Sequence, residues 1–283
     1  MEFETLNPTD PRYPRRLLDR LGPAAPTLYF NGPLKLLDRF NLAMIAADLS
    51  PAHAVMAAND MLFKIREYAL NYIGPWHSVY ETEVFRLAID TPTDPERRRS
   101  LTLFTARGLA RETLDIFLGD RFGYSGPFTG FPQKDEFFRR AKDGELLWLS
   151  ITEPNTLRFM RENILLRNWI ACALADVVFV PYSDKKSKTY QTVKQIVEKG
   201  IPVFTVDHEI CRDLHAMGVP AYSRKTVGPY LESLGARTDA PPPFPLPPPT
   251  VPALQVNEAA PAPPKRSGQG KLFGGEQRNE TTG

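Results

Sequence analysis

One segment near the middle of the chain restricts the fold more than any other. Residues 167–175 carry a helical pattern and lead into Val177–Val180, which has the length and β-branched composition of a buried strand. A polar turn follows, then a second helical segment, Ser187–Lys199, and a second apolar segment, Ile201–Val206. This order of strand, helix and strand is typical of a βαβ unit with parallel strands. We therefore predict an α/β fold.

The carboxyl ends of these two strands are the predicted ligand edge, because ligands of open parallel sheets bind there. One end is the basic, hydroxyl-rich loop 181–189, which opens a helix, and the other is Asp207-His208. Backbone N–H groups at a helix start bind phosphate well. The residues predicted to bind phosphate or nucleic acid are Arg167, Asn168, Lys185, Lys186, Ser187, Lys188, Thr189 and Thr192. The alternative is an ordinary helix with a capping Ser or Thr beside a solvated lysine loop.

Strand-like and helical segments alternate from residue 41 onward. This alternation predicts a Rossmann-like, doubly wound sheet of mostly parallel strands. We expect a short helical lead-in over residues 1–40, the main domain over 41–237 and a tail over 238–283. The tail is rich in proline between residues 241 and 264. Because Pro-rich polar sequence forms no backbone ladder and buries little surface, we expect the tail to be disordered.

Periodicity also predicts the elements of the first half of the main domain. Apolar residues at spacings of three and four predict one long helix over Pro51–Tyr72, after a strand at Asn41–Ala46. A weak strand is predicted at His77–Tyr80, and a helix at Glu81–Ile89. These predictions rest on the spacing of apolar residues alone.

Composition and charge narrow the classes of protein. The 283 residues carry a net charge of +2 with a pI near 8.5, which permits a nucleic-acid partner without requiring one. The two cysteines and four histidines lack the spacing of metal ligands, so no metal or cofactor is predicted. We find no leader-like start and no apolar run near the roughly 18 residues that span a membrane. A soluble, cytoplasmic protein is expected.

Several segments match motifs of a known family. The chain has R-N-W-I-A-C-A-L-A-D-V-V-F-V from Arg167, S-K-T-Y-Q-T-V from Ser187 and V-F-T-V-D-H from Val203. The lead-in adds L-N-P-T-D-P-R-Y-P from Leu6 and P-T-L-Y-F-N-G from Pro26. Together these segments resemble the DNA-processing protein A (DprA, or Smf) family over residues 5–210.

The resemblance implies both a fold and a function. It implies a Rossmann-like domain and a non-enzymatic accessory role in DNA metabolism. In that family the role is to bind single-stranded DNA and to help load a RecA-type recombinase, commonly as a homodimer. The resemblance also places nucleic acid at the basic loop after the strand Val177–Val180.

Five positions or segments depart from the family pattern, and one of them is Asp207-His208, which stands where the family has its terminal Pro-Gly. The G-S-R turn after the first strand is Ala46-Ala47-Asp48 here, and the glycine-rich motif falls on Ser78–Ile89, which has no glycine. Lys188 replaces the glycine after the motif's serine, and Trp169 replaces an arginine. A carboxylate repels phosphate, and a turn without glycine holds phosphate away from the backbone. We therefore expect a modest affinity for DNA.

Two other functions stay open at this point. One is binding of a nucleotide or nucleoside phosphate, as in the related lysine-decarboxylase-like (LOG) proteins, although their P-G-G-x-G-T turn is missing. The other is a scaffold that acts through its tail. His208, beside Asp207, is either an acid–base group or a surface or capping residue. The sequence shows no evident nucleophilic side chain with a general base to activate it, so it favours a non-enzymatic protein.

The tail carries a short motif of its own. Gln269, Leu272 and Phe273 form Q-x-x-L-F, which resembles the peptide that docks bacterial DNA polymerases and repair proteins on the sliding clamp. Leu272 and Phe273 are expected to fill an apolar pocket of the clamp while Gln269 makes polar contacts. The alternative is an incidental pair of apolar residues.

Overall fold

The structure, a computed structural model, describes residues 1–47, 50–89, 99–122, 133–158 and 161–238. Asp48 and the tail from residue 239 onward lie outside these residues, and so does the predicted sliding-clamp motif. Across the five described ranges, we find no helix that combines the length and the apolar character needed to cross a membrane.

Nine strands of the described chain form a mixed sheet. They are β1 (Glu4–Leu6), β2 (Leu28–Asn31), β3 (Phe40–Met44), β4 (Leu70–Gly74), β5 (Ser100–Thr105), β6 (Leu146–Ser150), β7 (Val177–Phe179), β8 (Val203–Val206) and β9 (Ala221–Tyr222). Their order across the sheet is β1-β2-β6-β5-β4-β3-β7-β8-β9. β2 pairs antiparallel with β1 and β6, and the other neighbours pair parallel.

Helices follow most of the parallel strands. They are α1 (Arg15–Leu21), α2 (Ala52–Ile65), α3 (Val79–Ile89), α4 (Leu114–Phe122), α5 (Lys134–Lys142), α6 (Arg161–Leu174), α7 (Lys188–Glu198), α8 (Arg212–Ala216) and α9 (Val227–Ser233). Short 3₁₀ turns lie at Gly22–Ala24, Leu34–Asp38, Leu109–Arg111 and Glu209–Cys211. The predicted doubly wound α/β fold is confirmed.

The direction of winding reverses at β3. From β3 the chain adds β4, β5 and β6 on one side, then crosses to place β7, β8 and β9 on the other. The carboxyl ends of β3 and β7 therefore flank the switch point, where folds of this class bind their ligands. Two backbone bonds extend the pairing past the strand ends: Ile45 N donates to Phe179 O at 3.3 Å, and Ala47 N donates to Tyr182 O at 3.1 Å.

Aromatic side chains pack α3, α4 and α5 against the sheet. The ring of Phe117 lies 5.7 Å from Phe85, 5.7 Å from Phe137 and 5.0 Å from Trp148 between centroids. All four side chains are fully buried. Such pairs add about 0.5–1.5 kcal/mol each beyond the area they bury, so this cluster holds the three helices on one face.

A buried polar group crosses the centre of the sheet. Asn71 Nδ2 donates to Asn41 Oδ1 at 2.7 Å and to Thr102 Oγ1 at 3.0 Å. Asn41 also donates from its amide to the carbonyl oxygens of Leu37 and Arg39. Because each amide finds partners, the network fixes the alignment of β3, β4 and β5 without an unpaired buried group.

Two boundary predictions were wrong. The helix predicted over Pro51–Tyr72 ends at Ile65, and Leu70–Gly74 is strand β4. All five residues of β4 are buried, and a strand buried on both faces shows no alternation that would separate it from a helix. The strand predicted at His77–Tyr80 is instead the loop before α3 and its first turn. The helix predicted at Glu81–Ile89 is confirmed as α3.

The lead-in joins the main sheet. Its strand β2 pairs with β6. Two arginines of its helix α1 contact the end of α6. Arg16 donates to Leu174 O at 2.7 Å and pairs with Asp176, while Arg20 donates to Ala175 O at 2.6 Å. Cations placed at a helix C-terminus satisfy its free carbonyl groups and oppose its dipole.

Candidate nucleic-acid interface

The lysine loop, Lys185–Lys188, follows β7 at the switch point. Ser187 is the N-cap of α7, and its Oγ accepts a hydrogen bond from Tyr190 N at 3.1 Å. The same hydroxyl lies 2.7 Å from Ser183 Oγ and 2.8 Å from Asp184 O. Ser187 thus fixes the start of α7, which is the capping role named above as the alternative.

Carboxylates occupy the backbone donors of the lysine loop. Asp184 Oδ1 accepts from Lys186 N and from Ser187 N, both at 2.9 Å. Asp213 Oδ2 accepts from Lys185 N at 3.3 Å. These three backbone N–H groups are therefore already bonded. A phosphate at this loop would contact the lysine ammonium groups instead.

The three lysine side chains project into solvent. Lys185, Lys186 and Lys188 are all exposed, and Lys185 Nζ lies 3.9 Å from Asp213 Oδ1. An exposed ion pair at that distance is weak and screened by salt. The loop thus presents three cations as point charges, and Asp184 and Asp213 reduce the local positive charge.

Two threonines predicted at this site lie beneath the surface. Thr189 is almost fully buried and donates from Oγ1 to Ala46 O at 3.0 Å, which ties α7 to the end of β3. Thr192, one turn later, is buried at 4% exposure. It lines a groove between α6 and α7, not the exposed face of the lysine loop.

Arg167 and Asn168 lie on α6 and pair with each other. Arg167 donates to Asn168 Oδ1 from Nε at 3.1 Å and from Nη2 at 2.9 Å. Arg167 is 2% exposed, so its guanidinium lies inside the domain. Burial raises the pKa of the nearby Glu81 carboxyl group, and the positive charge of Arg167 opposes that rise. The structure thus separates this arginine from the exposed lysines.

Glu81 is a functional candidate that the sequence reasoning missed. Its Oε2 accepts from His77 N at 2.7 Å and from Ser78 N at 3.1 Å, and its Oε1 accepts from Ala46 N at 3.3 Å. Ser78 Oγ in turn accepts from Glu81 N at 3.2 Å. This exchange is a capping box, and the spacing S-x-x-E at 78–81 is its sequence signal.

Different parts of the surroundings shift the pKa of the Glu81 carboxyl group in opposite directions. The side chain is 3% exposed, and its burial raises the pKa of the carboxyl group. The N–H groups of His77, Ser78 and Ala46 and the charge of Arg167 oppose that rise, and the pKa of Glu81 remains above its ordinary value. Since every hydrogen bond to the carboxyl oxygens comes from an N–H donor, the geometry is that of an ionised carboxylate.

A tryptophan shapes the turn that carries these donors. Trp76 has a φ of 60°, in the left-handed region that bulky residues rarely adopt. Its side chain is fully buried, 5.9 Å from the ring of Phe85. Gly74 lies beneath it, and a Cβ added there would be 3.4 Å from the indole, at the near edge of ordinary van der Waals contact. Packing of the indole therefore holds a turn that the sequence makes without a central glycine.

A groove of about 550 Å³ runs between α6 and α7. Its lining residues are Leu165, Leu166, Trp169, Gln191, Thr192, Gln195, Glu198 and Lys199. Trp169, which stands where the resemblance expects an arginine, is one wall of this groove. The lining combines aliphatic, amide and charged groups, and this combination does not indicate one class of ligand.

His208 caps the 3₁₀ turn after β8. Its Nδ1 accepts from Ile210 N at 3.2 Å. This arrangement is the capping role, the second of the two alternatives weighed for His208. The acid–base alternative gains no support from this contact.

Comparison with known proteins decides the fold. We find no match among protein-family models and none among curated proteins. DNA processing protein A from Streptococcus pneumoniae superposes with a TM-score of 0.61 at 16% identity, over 82% of this chain and 74% of that one. DNA processing protein A from Helicobacter pylori gives 0.58 at 15% identity, over 82% and 97%. The chain has the DprA fold. The fold implied by the motifs is thereby confirmed.

One of these DprA structures is described with a ligand. The H. pylori DprA binds single-stranded DNA in a mode of its own. A molybdenum cofactor binding protein from the phototrophic bacterium Rippkaea orientalis is much less similar, with a TM-score of 0.40 at 10% identity over 69% of this chain and 97% of that one. The likeness to DprA therefore guides the functional proposal, and that to the cofactor protein does not.

Proposed function

We propose that this chain is a non-enzymatic accessory protein of DNA metabolism that binds single-stranded DNA. The observation that carries the proposal is the position of the lysine loop. Its exposed cations follow β7 at the switch point, in a fold shared with the H. pylori DprA, which binds single-stranded DNA. Ligands of doubly wound sheets bind at that edge.

The proposed contacts are electrostatic and do not read base sequence. Lys185, Lys186 and Lys188 each neutralise one phosphate, and each neutralised phosphate of a single strand adds about 0.7 to the salt slope of binding. The carboxylates of Asp184 and Asp213 hold the loop in shape but also repel phosphate. Affinity is therefore modest and falls steeply with salt.

A fluorescence-anisotropy titration tests the proposal. Labelled oligothymidine is titrated with the full chain at about 50 mM and about 200 mM salt. The triple variant K185A/K186A/K188A should bind more weakly and lose about 2 units of salt slope. The control K194A/K199A/K225A removes three other exposed lysines and should bind like the wild type.

Two outcomes contradict the assignment. If the triple variant keeps the affinity and slope of the wild type, DNA does not cross the lysine loop. If the control variant loses as much affinity as the triple variant, binding depends on overall charge and not on this loop. A nucleotide panel in the same buffer separates binding of DNA from binding of mononucleotides.

We further propose the finer activities that the DprA resemblance implies. The bound strand is passed to a RecA-type recombinase, and the protein acts as a homodimer in the cytoplasm. Sedimentation equilibrium measures the oligomeric state. Recombinase loading is measured as the rate at which a RecA-type protein assembles on single-stranded DNA, with and without this protein.

The nucleotide-binding alternative is not favoured. The P-G-G-x-G-T turn of LOG proteins is absent, and the two solved structures named above with TM-scores over 0.5 are DNA processing proteins. At the ends of β3 and β4, three backbone donors bond Glu81. The sliding-clamp motif at Gln269, Leu272 and Phe273 and the scaffold function through the tail stay predictions.

A further inference from the structure

Three backbone N–H groups from two loops converge at the carboxyl ends of β3 and β4. Ala46 N comes from the end of β3, and His77 N and Ser78 N come from the loop between β4 and α3. Successive N–H groups at a helix start, next to the switch point, form the kind of cradle that binds an anion. We call these three groups the strand-end cradle.

The chain itself supplies the anion in the strand-end cradle. All three donors bond the carboxylate of Glu81, at 2.7 to 3.3 Å. Glu81 is 3% exposed, and Arg167, which is 2% exposed, acts on it with its positive charge. Four groups thus act on one carboxylate. They come from three parts of the fold, namely the end of β3, the loop before α3 and helix α6.

The capping box fixes Glu81 in this place. Ser78 Oγ accepts from Glu81 N at 3.2 Å while the Glu81 side chain turns back to Ser78 N. The reciprocal bonds hold the first turn of α3 and aim the carboxylate at the cradle. The contact with Ala46 N, 35 residues earlier, lies outside an ordinary capping box. It makes the carboxylate a bridge between two strand ends.

We propose that Glu81 is a resident anion that excludes phosphate from the strand-end cradle. The carboxylate fills the space that an incoming oxyanion would need, uses its donors and repels its charge. A chain without this carboxylate should expose a site for a small oxyanion such as formate or phosphate. In the intact protein, an anionic ligand is restricted to exposed cations and does not enter the strand-end cradle.

Chemical rescue in a thermal-unfolding experiment tests this role. The full chain, E81A and the control E83A are melted at neutral pH in sodium chloride, sodium formate and sodium phosphate of equal ionic strength. E83A removes a partly exposed carboxylate of the same helix that pairs with Arg86. E81A should melt at least about 5 °C below the wild type in chloride. Formate and phosphate should restore part of that loss.

Matched controls separate filling of the cradle from a general salt effect. The wild type and E83A should show no stabilisation specific to formate or phosphate. E81Q keeps the shape of the side chain but turns an amide donor toward N–H donors. It should be destabilised and should not respond to formate or phosphate, because its side chain still fills the cradle.

Several results would overturn the role of Glu81. They are an E81A midpoint equal to that of the wild type, a loss that formate and phosphate leave uncorrected, and an equal response of wild type and E81A to these anions. If E81A does not fold in chloride, it is refolded in formate or phosphate instead of being melted. Failure to recover the far-ultraviolet circular dichroism of the wild type in these salts also counts against the role of Glu81. No arm contains DNA, so the outcome is independent of the proposed function.

Discussion

Thr189 donates a hydrogen bond from its hydroxyl group to the backbone carbonyl of Ala46, at 3.0 Å. The bond joins the first turn of α7 to the end of β3, the two segments that face each other across the switch point. Thr189 is almost fully buried, so its hydroxyl group has a structural role and does not face solvent. The lysine loop is therefore carried on a helix start that is fixed to the neighbouring strand.

Replacing Thr189 by valine should loosen that attachment. The Ala46 carbonyl would lose its hydroxyl donor, and an unsatisfied buried acceptor costs about 1–3 kcal/mol. Urea unfolding followed by circular dichroism measures the change in the free energy of unfolding. T189S keeps the hydroxyl and should cost less. If T189V were as stable as the wild type, or lost no more than T189S, the hydroxyl bond would matter no more than the methyl group.

Asp184 limits the positive charge of the lysine loop while it shapes the backbone. Asp184→Asn keeps an oxygen that can accept from Lys186 N and Ser187 N but removes the negative charge. A unit charge about 10 Å from a phosphate in water contributes about 0.4 kcal/mol, so D184N should tighten DNA binding about twofold at low salt. Anisotropy titration measures it. D184A also loses the two acceptor contacts and serves as the structural control. Unchanged binding by D184N would place the DNA away from this loop, and weaker binding would contradict repulsion of phosphate by Asp184.

Arg140 is a buried cation whose removal should be costly. The side chain is 1% exposed, pairs with Glu136 at 2.9 Å and donates to Ala88 O and Arg99 O. Arg140→Met leaves these carbonyls without that donor, and a buried acceptor left unsatisfied costs about 1–3 kcal/mol. Urea unfolding measures the loss, with the exposed Lys142→Met as control. A loss no larger than that of the control would mean that the arginine is replaceable by apolar packing.

Hydrogen bonds from Arg139 lower the pKa of Glu136 to about 2. The ordinary pKa of this carboxyl is 4.5, so its ionised form is favoured in the folded state. Its contribution to stability is present above the unfolded pKa and is lost as the pH falls from near 4.5 through about 2. E136Q should therefore narrow the stability difference between the two ends of that window, measured by urea unfolding. An unchanged difference would assign the acid sensitivity to other carboxyl groups.

The βαβ unit from β7 to β8 could be predicted because each signal in it is local. An apolar run of strand length, a polar turn and an amphipathic helix follow one another without interruption, and the N-cap Ser187 marks the helix start. Strand β4 could not, because Leu70–Gly74 is buried on both faces and extends the apolar spacing of α2. Periodicity carries no information where every side chain is buried.

The candidate site divides in the same way. The exposed lysines of the loop are visible in the sequence, and so is the S-x-x-E signal at Ser78–Glu81. The contact of Glu81 with Ala46 N joins residues 35 apart, and that of Asp213 with Lys185 N joins residues 28 apart. Such contacts depend on the order of strands in the sheet. The sequence pattern therefore located the basic loop but not the carboxylates that occupy the neighbouring N–H groups.

The tail motif gives a prediction that does not depend on the folded domain. A peptide of residues 267–275 should bind a bacterial sliding clamp with a dissociation constant in the micromolar range, or about −8 kcal/mol. Leu272 and Phe273 supply the apolar burial and Gln269 the orientation, but a flexible peptide loses conformational entropy on docking, which keeps the affinity low. Isothermal titration calorimetry measures it for the peptide and for the full chain. L272A/F273A should abolish binding in both, whereas Ser267→Ala, inside the peptide but outside the motif, should not. If neither peptide nor full chain binds a cognate clamp at high concentration, the Leu-Phe pair is incidental, and the tail has another partner or serves as a linker.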